Sequence, residues 1–479
     1  MTDAKNNQKT DVSPGDVLET TIDSIVTGGA GLARVDGLVL FVPGTVPGET
    51  VRAKVVKSKK GFAEAELVEI VIPSPDRVEP PLGELGTLSG CDLQHLSLEA
   101  QQRAKFVIVR DCFRRQGGID MEDRLSGPES AAPPVGYRNK VRLTRDPIGR
   151  WGVIRKGTHD VLAIDEHGLM PAVFNETVLP WMRLLPPVDQ IVIRFDADGG
   201  WLAVLYGPPA RLKTLKSILK DVEEAPAPGC QGVLFNNRPV WGRDHLLIRM
   251  LERTWRVHAL SFFQTNFAET EAAVRLARTW LDEDGLTAAT PGGALIDLYG
   301  GVGLFGLSLG DRFETVIGVE ENRQAVLDAR NNYKRDETLA SRAKVVLAPV
   351  EKVTLGWKMS RTQSADGSGR PSAARGTGPF SAELATSAGL GAKLDWARTT
   401  VVVDPPRAGL GEHVTNDLGS LAPARILYMS CDPATLARDC GALVKAGYEV
   451  KRGRVIDMFP LTSHVETLVE LVRTESSEI

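Results

Sequence analysis

The stretch ALIDLYGGVGLFGLSLG, residues 294–310, reads as a buried strand that breaks at a pair of glycines and resumes as a helix. Within it, GVGLFG is a G-x-G-x-x-G in which Gly301 and Gly303 let backbone approach a nucleotide-like cofactor. Glu320, at the tip of the next strand TVIGVE, is placed to take ribose hydroxyls. That pattern alone fits NAD, FAD or S-adenosylmethionine. Downstream, AKVVLAP, TTVVVDPPRAGL, ARILYMSCDPATLARDCGALVKAGY and ETLVELVR alternate apolar strand runs with helical runs, which predicts a parallel, doubly wound α/β sheet of Rossmann type. Residues 357–396, rich in Ser, Gly, Ala and Arg, break both periods and read as an inserted, mobile surface loop.

Upstream of this sheet the pattern changes twice. Residues 14–72 alternate apolar and polar positions between Gly- and Pro-bearing turns, the signature of five short strands in an OB-like barrel. A proline-rich connection follows at 73–81, then a helical run after Cys91 that stops at Gly117–Gly118, then a mixed region over 135–258 with a helix near 211–221. The expected organisation is a barrel over 11–72, a central α+β region over 73–258 and a Rossmann-like domain over 259–479.

Composition sets the class. The chain has 479 residues, 42% hydrophobic and 25% charged, with no signal-peptide pattern and no apolar run long enough to span a bilayer, so a cytoplasmic protein without membrane association is expected, and a monomer. The five cysteines are scattered and form no C-x-x-C, which argues against a disulfide framework or a zinc ribbon. Net charge is −4, so the whole chain does not advertise nucleic-acid binding. Two local runs do: Arg52, Lys54, Lys57, Lys59 and Lys60, and the segment from Arg138 to Lys156, which holds Arg138, Lys140 and Arg142. Alternation puts those last three on one strand face.

Chemistry concentrates at the ends of the predicted strands. Asp404 closes VVVD ahead of two prolines, where open α/β sheets bind ligands; a dehydrogenase has no evident use for this element. Cys431 stands between the strand RILYMS and a helix capped by Asp432 with Pro433 in its first turn, a position expected to favour thiolate. Cys440, deeper in that helix, reads as structural. Glu466, beside His464, opens the last strand as a candidate proton acceptor.

SFFQTN, DLYGGVGLF, GVE, DPPRAGL, YMSCDPATLARD and DMFPLTSHVE occur in the order found in the S-adenosylmethionine-dependent RNA uracil-5-methyltransferases, and the chain resembles the 23S ribosomal RNA branch that carries a TRAM barrel. The resemblance covers residues 11–472. It implies Cys431 as nucleophile, Glu466 as base, and Gln264, Tyr299, Glu320 and Asp404 as cofactor contacts beside Gly301 and Gly303. It further implies a flipped uridine met by Phe262 or Phe263, and RNA backbone held by Arg138, Lys140, Arg142, Lys57, Lys59 and Lys60. The transfer-RNA uridine enzymes and a decayed RNA-binding assembly factor are the alternatives.

Three departures stand out. Where relatives hold an iron–sulfur cluster through several cysteines, this chain has Cys91 alone, with Leu82, Leu88 and His167 at the other positions; no cluster and no other metal is expected. Leu304 replaces a customary asparagine. Pro349 stands where an acidic residue is expected near the third strand.

Overall fold

The computed structural model describes residues 12–88, 90–130, 133–155, 157–220, 226–365 and 381–474. The chain divides into two compact units: residues 1–108 with 154–162 and 459–465, and residues 109–153 with 163–458 and 466–479. Asp11, Lys156 and the middle of the predicted insertion lie outside the described residues.

The first unit holds a six-stranded barrel sheet. Its strands are Val17–Thr21, Ser24–Ile25, Ala30–Val35, Leu38–Pro43, Thr50–Lys59 and Phe62–Ile72, one short strand more than the pattern suggested. Alternation does the sorting: in Thr50–Lys59, Val51, Ala53 and Val55 are buried while Arg52 and Lys54 are exposed. The inward residues pack with Ile22, Leu40, Val42 and Ala63.

The second unit carries two sheets. In the central one, strands Trp151–Ile154, Lys140–Arg145, Gln190–Phe195, Trp201–Tyr206, Cys230–Phe235 and Arg238–Gly242 lie side by side in that order. The predicted helix near 211–221 is Leu212–Lys220. A hairpin, His245–Met250 with Arg253–His258, follows.

The Rossmann-like sheet is built from β1 (Gly292–Leu298), β2 (Phe313–Glu320), β3 (Ala343–Leu347), β4 (Thr399–Val403), β5 (Arg425–Ser430), β6 (Tyr448–Ile456) and β7 (Glu466–Arg473). Their order is β3-β2-β1-β4-β5-β7-β6, with β1 to β5 parallel and β7 antiparallel to both neighbours, and the two-residue strand Leu125–Ser126 completes the sheet as an eighth, parallel edge beside β6. The crevice between β1 and β4 is the switch point at which such sheets bind ligands. The helices used below are α1 (Phe267–Glu283), α2 (Leu304–Leu309), α3 (Arg323–Arg335), α4 (Val350–Ala365), α5 (Ser381–Gly391), α6 (Gly411–Leu421) and α7 (Pro433–Lys445).

The predicted mobile loop over 357–396 needs correction. Its described part is α4, α5 and a short 3-10 turn, and its two boundary tryptophans are core residues. Trp357 is buried, its ring centroid 5.8 Å from that of Trp396, and its Nε1 donates to the Ser387 carbonyl at 2.8 Å. Apolar anchors were hidden inside a composition that reads as linker; residues 366–380 lie outside the described residues.

Candidate active site

The glycine-rich turn behaves as its spacing requires. Gly301 and Gly303 have φ of 54° and 89°, and Gly303 caps α2. Gly306 is demanded by close packing: a Cβ there would stand 2.9 Å from Asp297 Oδ2 and collide with the Tyr333 hydroxyl. Tyr299 also adopts a left-handed φ of 59°, which turns the chain at the end of β1. The Glu320 carboxylate reaches back across this turn, accepting from Gly301 N at 3.0 Å and Asn322 N at 2.7 Å. Gly301 faces open space on its Cβ side.

Phe262, Phe263, Gln264, Asp297, Tyr299, Gly301, Val302, Leu304 and Asp404 line one cavity at this turn. Gln264 Nε2 donates to Asp404 Oδ2 at 3.2 Å. Burial, partly offset by that bond, pushes the Asp404 carboxyl up to about 7. Asp297 is likewise pushed up to about 7 by burial, with Asp404 and Glu320 adding to the rise, and its Oδ1 is buried without a partner.

Sheet register brings the other two candidates together. Ser430, the last residue of β5, pairs with Thr467, the second residue of β7. One step further along this antiparallel ladder are Cys431 on one strand end and Glu466 on the other. Burial raises the Glu466 carboxyl well above its usual range; Asp404 adds to the rise and Arg407 opposes it. Its Oε2 has no hydrogen-bond partner.

The expectation that Cys431 is a ready thiolate is corrected by its surroundings. The thiol is pushed up to about 11, by burial first and then by Glu466, against a lowering by Arg407. The helix cap explains why the dipole does not prevail: Asp432 Oδ1 already takes Ala434 N at 3.0 Å and Thr435 N at 2.9 Å. The N–H groups that would favour a thiolate are occupied by a carboxylate. Cys440 is fully buried and matches its structural reading.

Among the predicted RNA-facing aromatics, Phe262 is 60% exposed whereas Phe263 is buried against Trp255 and Phe267. Phe263 is therefore a core residue at the cavity wall. Lys140 and Arg142 share one face of the strand, whereas Arg138 precedes it in an isolated bridge to Asn266; none of the three forms an ion pair among the described residues. The barrel run is different. Arg52 pairs with Glu19 and Glu69, Lys57 lies 3.8 Å from Glu64, and Lys54 stands opposite Glu66 in the ladder. Glutamates in FAEAELVEI, legible in the sequence, meet that run across the sheet.

Two features escaped the sequence reading. Glu351, in the first turn of α4, accepts from the Tyr299 hydroxyl at 3.4 Å, so an acid does reach this edge two residues beyond Pro349. Asp328 and Asn332 of α3 are buried and fasten the site's loops. Asp328 Oδ2 accepts from Ser261 Oγ at 2.6 Å and His258 N at 2.8 Å, and Asn332 Nδ2 donates to the Val302 carbonyl at 3.1 Å. Their spacing of four on a helix was the available signal. Among the described residues no cluster of His, Cys, Asp and Glu could hold a metal ion, and no helix is long and apolar enough to cross a membrane.

Comparison with known proteins gives the family. Residues 390–474 match the tRNA (Uracil-5-)-methyltransferase family and residues 11–68 the TRAM domain. An uncharacterized RNA methyltransferase of Streptomyces coelicolor is 30% identical over 95% of this chain and 93% of its own length. One of Halalkalibacterium halodurans is 28% identical over 97% and 99%. Among solved structures, the Pyrococcus abyssi tRNA (uracil-54, C5)-methyltransferase in complex with S-adenosyl-L-homocysteine shares the fold, with a TM-score of 0.65, 21% identity and coverage of 95% of this chain and all of that one. The chain thus belongs to the S-adenosylmethionine-dependent RNA (uracil-5-)-methyltransferase family, with a TRAM domain over residues 11–68.

Proposed function

We propose that the protein methylates carbon 5 of a uridine in 23S ribosomal RNA through a covalent adduct between Cys431 and carbon 6 of the base. The observation that carries this reading is the β5–β7 register, which sets a cysteine and a buried glutamate with an unpaired Oε2 at adjoining strand ends beside the cofactor crevice. A thiol and a carboxylate are the pair this chemistry needs, because carbon 5 of uracil is a poor nucleophile until carbon 6 has been attacked.

S-adenosylmethionine fits the crevice. The open face of Gly301, the Glu320 carboxylate and the Tyr299 ring suit a nucleoside, while Gln264 and Asp404 suit a cationic amino-acid end. When bound, it supplies an electrophilic methyl group on a cationic sulfur. Cys431 loses its proton to solvent as its sulfur bonds to carbon 6, and the carbon 5–carbon 6 π pair moves toward the carbon 4 carbonyl as an enolate, which makes carbon 5 electron-rich. Once carbon 5 carries the methyl group, the Glu466 carboxylate removes the remaining carbon 5 proton. The double bond re-forms, and the sulfur–carbon 6 bond breaks to return Cys431. Because burial disfavours its charge, Glu466 in its ionised form is a stronger base than an exposed glutamate. Phe262, exposed next to the cavity, is the aromatic we assign to the flipped base or its vacated stack.

Transfer RNA is the second reading, and it has specific support. The Pyrococcus enzyme named for tRNA covers 95% of this chain, so an N-terminal barrel does not separate the two substrates. The test is transfer of labelled methyl from S-adenosylmethionine to ribosomal and transfer RNA from methylation-deficient cells, with nucleoside analysis. Label in 5-methyluridine of 23S RNA is expected. Label confined to tRNA selects the second reading, and label in neither overturns both. Lack of a cluster remains part of the proposal: anaerobically purified protein should contain no stoichiometric iron or labile sulfide.

A further inference from the structure

Arg194 was not singled out by any sequence motif. It is 3% exposed on strand Gln190–Phe195, directly across the antiparallel ladder from Lys140. Its Nη2 donates to the Ser261 carbonyl at 2.6 Å, while its Nη1 is buried with no partner. Arg138, two residues before Lys140 in the chain, has a buried Nε that is also without a partner. Lys140 has no ion pair and no hydrogen bond from its ammonium among the described residues.

Taking positive charge out of water without a counter-charge is unfavourable, so a fold that gathers buried Arg194 with partly buried Lys140 and Arg138 is better satisfied by an anion. The neighbouring groups register this. Burial, Arg194 and Arg142 together pull the Lys140 ammonium down to about 8, and burial with Arg138 pulls His167 down to about 4. Among the described residues the opposing charge that acts on Arg194 is Asp328, which is already bound by Ser261, His258 N and Arg256.

The cluster lies against the loop that lines the active site. Asn139 Nδ2 donates to the Gln264 carbonyl at 3.0 Å, Asn139 N donates to the Thr265 carbonyl at 2.9 Å, and Arg138 bridges Asn266. Phe262 projects from that loop one residue past Ser261. Resting on the RNA-methylation reading, we propose that Arg194, Lys140 and Arg138 form a seat for one phosphate of the RNA strand, the one next to the nucleotide presented to Cys431. The strand face then does more than attract RNA: it fixes where along the backbone the target base leaves its stack.

The test uses the full-length protein and a fluorescein-labelled deca-uridine RNA, with the dissociation constant measured against salt concentration. Each phosphate contact on a single strand contributes about 0.7 to the log–log salt slope. Lys140→Gln should reduce the slope by about that amount and weaken binding about 10-fold at low salt, and Lys140→Arg should restore most of both. Arg194→Met should act similarly, with retained circular dichroism and S-adenosylhomocysteine binding showing that it has folded; if it does not fold, the Lys140 pair decides. The same oligonucleotide should shield Lys140 from acetylation by an N-hydroxysuccinimide ester, read by mass spectrometry. A wild-type slope in Lys140→Gln, or no shielding, overturns the phosphate seat. Normal salt-linked binding by a protein that methylates no uridine would overturn the methylation reading and leave the seat standing.

Discussion

Two groups of buried charge, opposite in sign, meet the segment Ser261–Asn266 from its two ends of function. The Gln264 side chain touches Asp404, in whose field Glu466 and Cys431 also sit; all three are held toward their protonated forms. The main chain of the same segment takes Arg194 and Asn139, on the strands that carry the unpaired cations. In neither group does the fold supply enough counter-charge, whereas in the barrel Arg52 and Lys57 are matched by glutamates. The difference separates charge matched within the fold from charge for which we propose a ligand. A cationic cofactor suits the acidic group and an RNA phosphate the basic one.

The largest expected effect falls on the acidic group. Cys431→Ala should lower methyl transfer by at least about 10⁴-fold while S-adenosylhomocysteine binding, measured by calorimetry, stays near wild type. Retained transfer would reduce Cys431 to a structural residue and dissolve the contrast.

Next comes stability. The folded pKa of Asp404 stands above its unfolded value, so between about pH 4 and pH 7 the folded state keeps a proton that the unfolded state has released. Wild-type stability from this group is present at low pH and lost as pH rises through that window. Asp404→Asn should therefore gain on the wild type as pH rises from about 4 to about 7 in denaturant unfolding of the ligand-free protein, by up to about 4 kcal/mol in all. A pH-independent difference would mean that Asp404 is ionised throughout.

Alkylation of Cys431 probes the same field. At pH 8 a thiol at about 11 reacts about 20-fold more slowly than an ordinary one, after allowing for its greater intrinsic nucleophilicity, and its rate should climb steadily toward pH 11. A rate that levels off below pH 8 would show a thiolate already in place. The smallest effect belongs to the barrel: Lys54 and Lys57, which stand opposite Glu66 and Glu64, changed together to Gln should weaken deca-uridine binding by less than about 3-fold. A larger loss, or a slope change exceeding that of Lys140→Gln alone, would erase the distinction between matched and unmatched cations.

Much of this was written locally in the chain. Strand–turn–helix chemistry at Gly301–Gly306, the cap Asp432 with Pro433, and the alternation of the barrel are short-range patterns, and each appears where its spacing puts it. What the sequence concealed depends on partners distant along the chain. Arg194 and Lys140 are 54 positions apart and become neighbours through strand register. The Cys431 thiol looked activated because its helix was visible, while the burial and the Glu466 charge that outweigh the helix come from another strand. Phe262 and Phe263 are adjacent and indistinguishable by type; packing on Trp255 and Phe267 is what takes Phe263 into the core. Trp357 and Trp396 likewise pair across residues whose composition reads as linker.

The division of labour between Cys431 and Glu466 is tested most directly on a denaturing gel. Glu466→Gln keeps the shape of the side chain but removes its basicity, so thiol attack and methyl transfer should proceed while release stalls. Incubated with S-adenosylmethionine and substrate RNA, this variant should give a slow-migrating protein–RNA band that carries the labelled methyl group and disappears when Cys431 is also changed to Ala. Free methylated RNA released at the wild-type rate by Glu466→Gln, with no such band, would contradict the account.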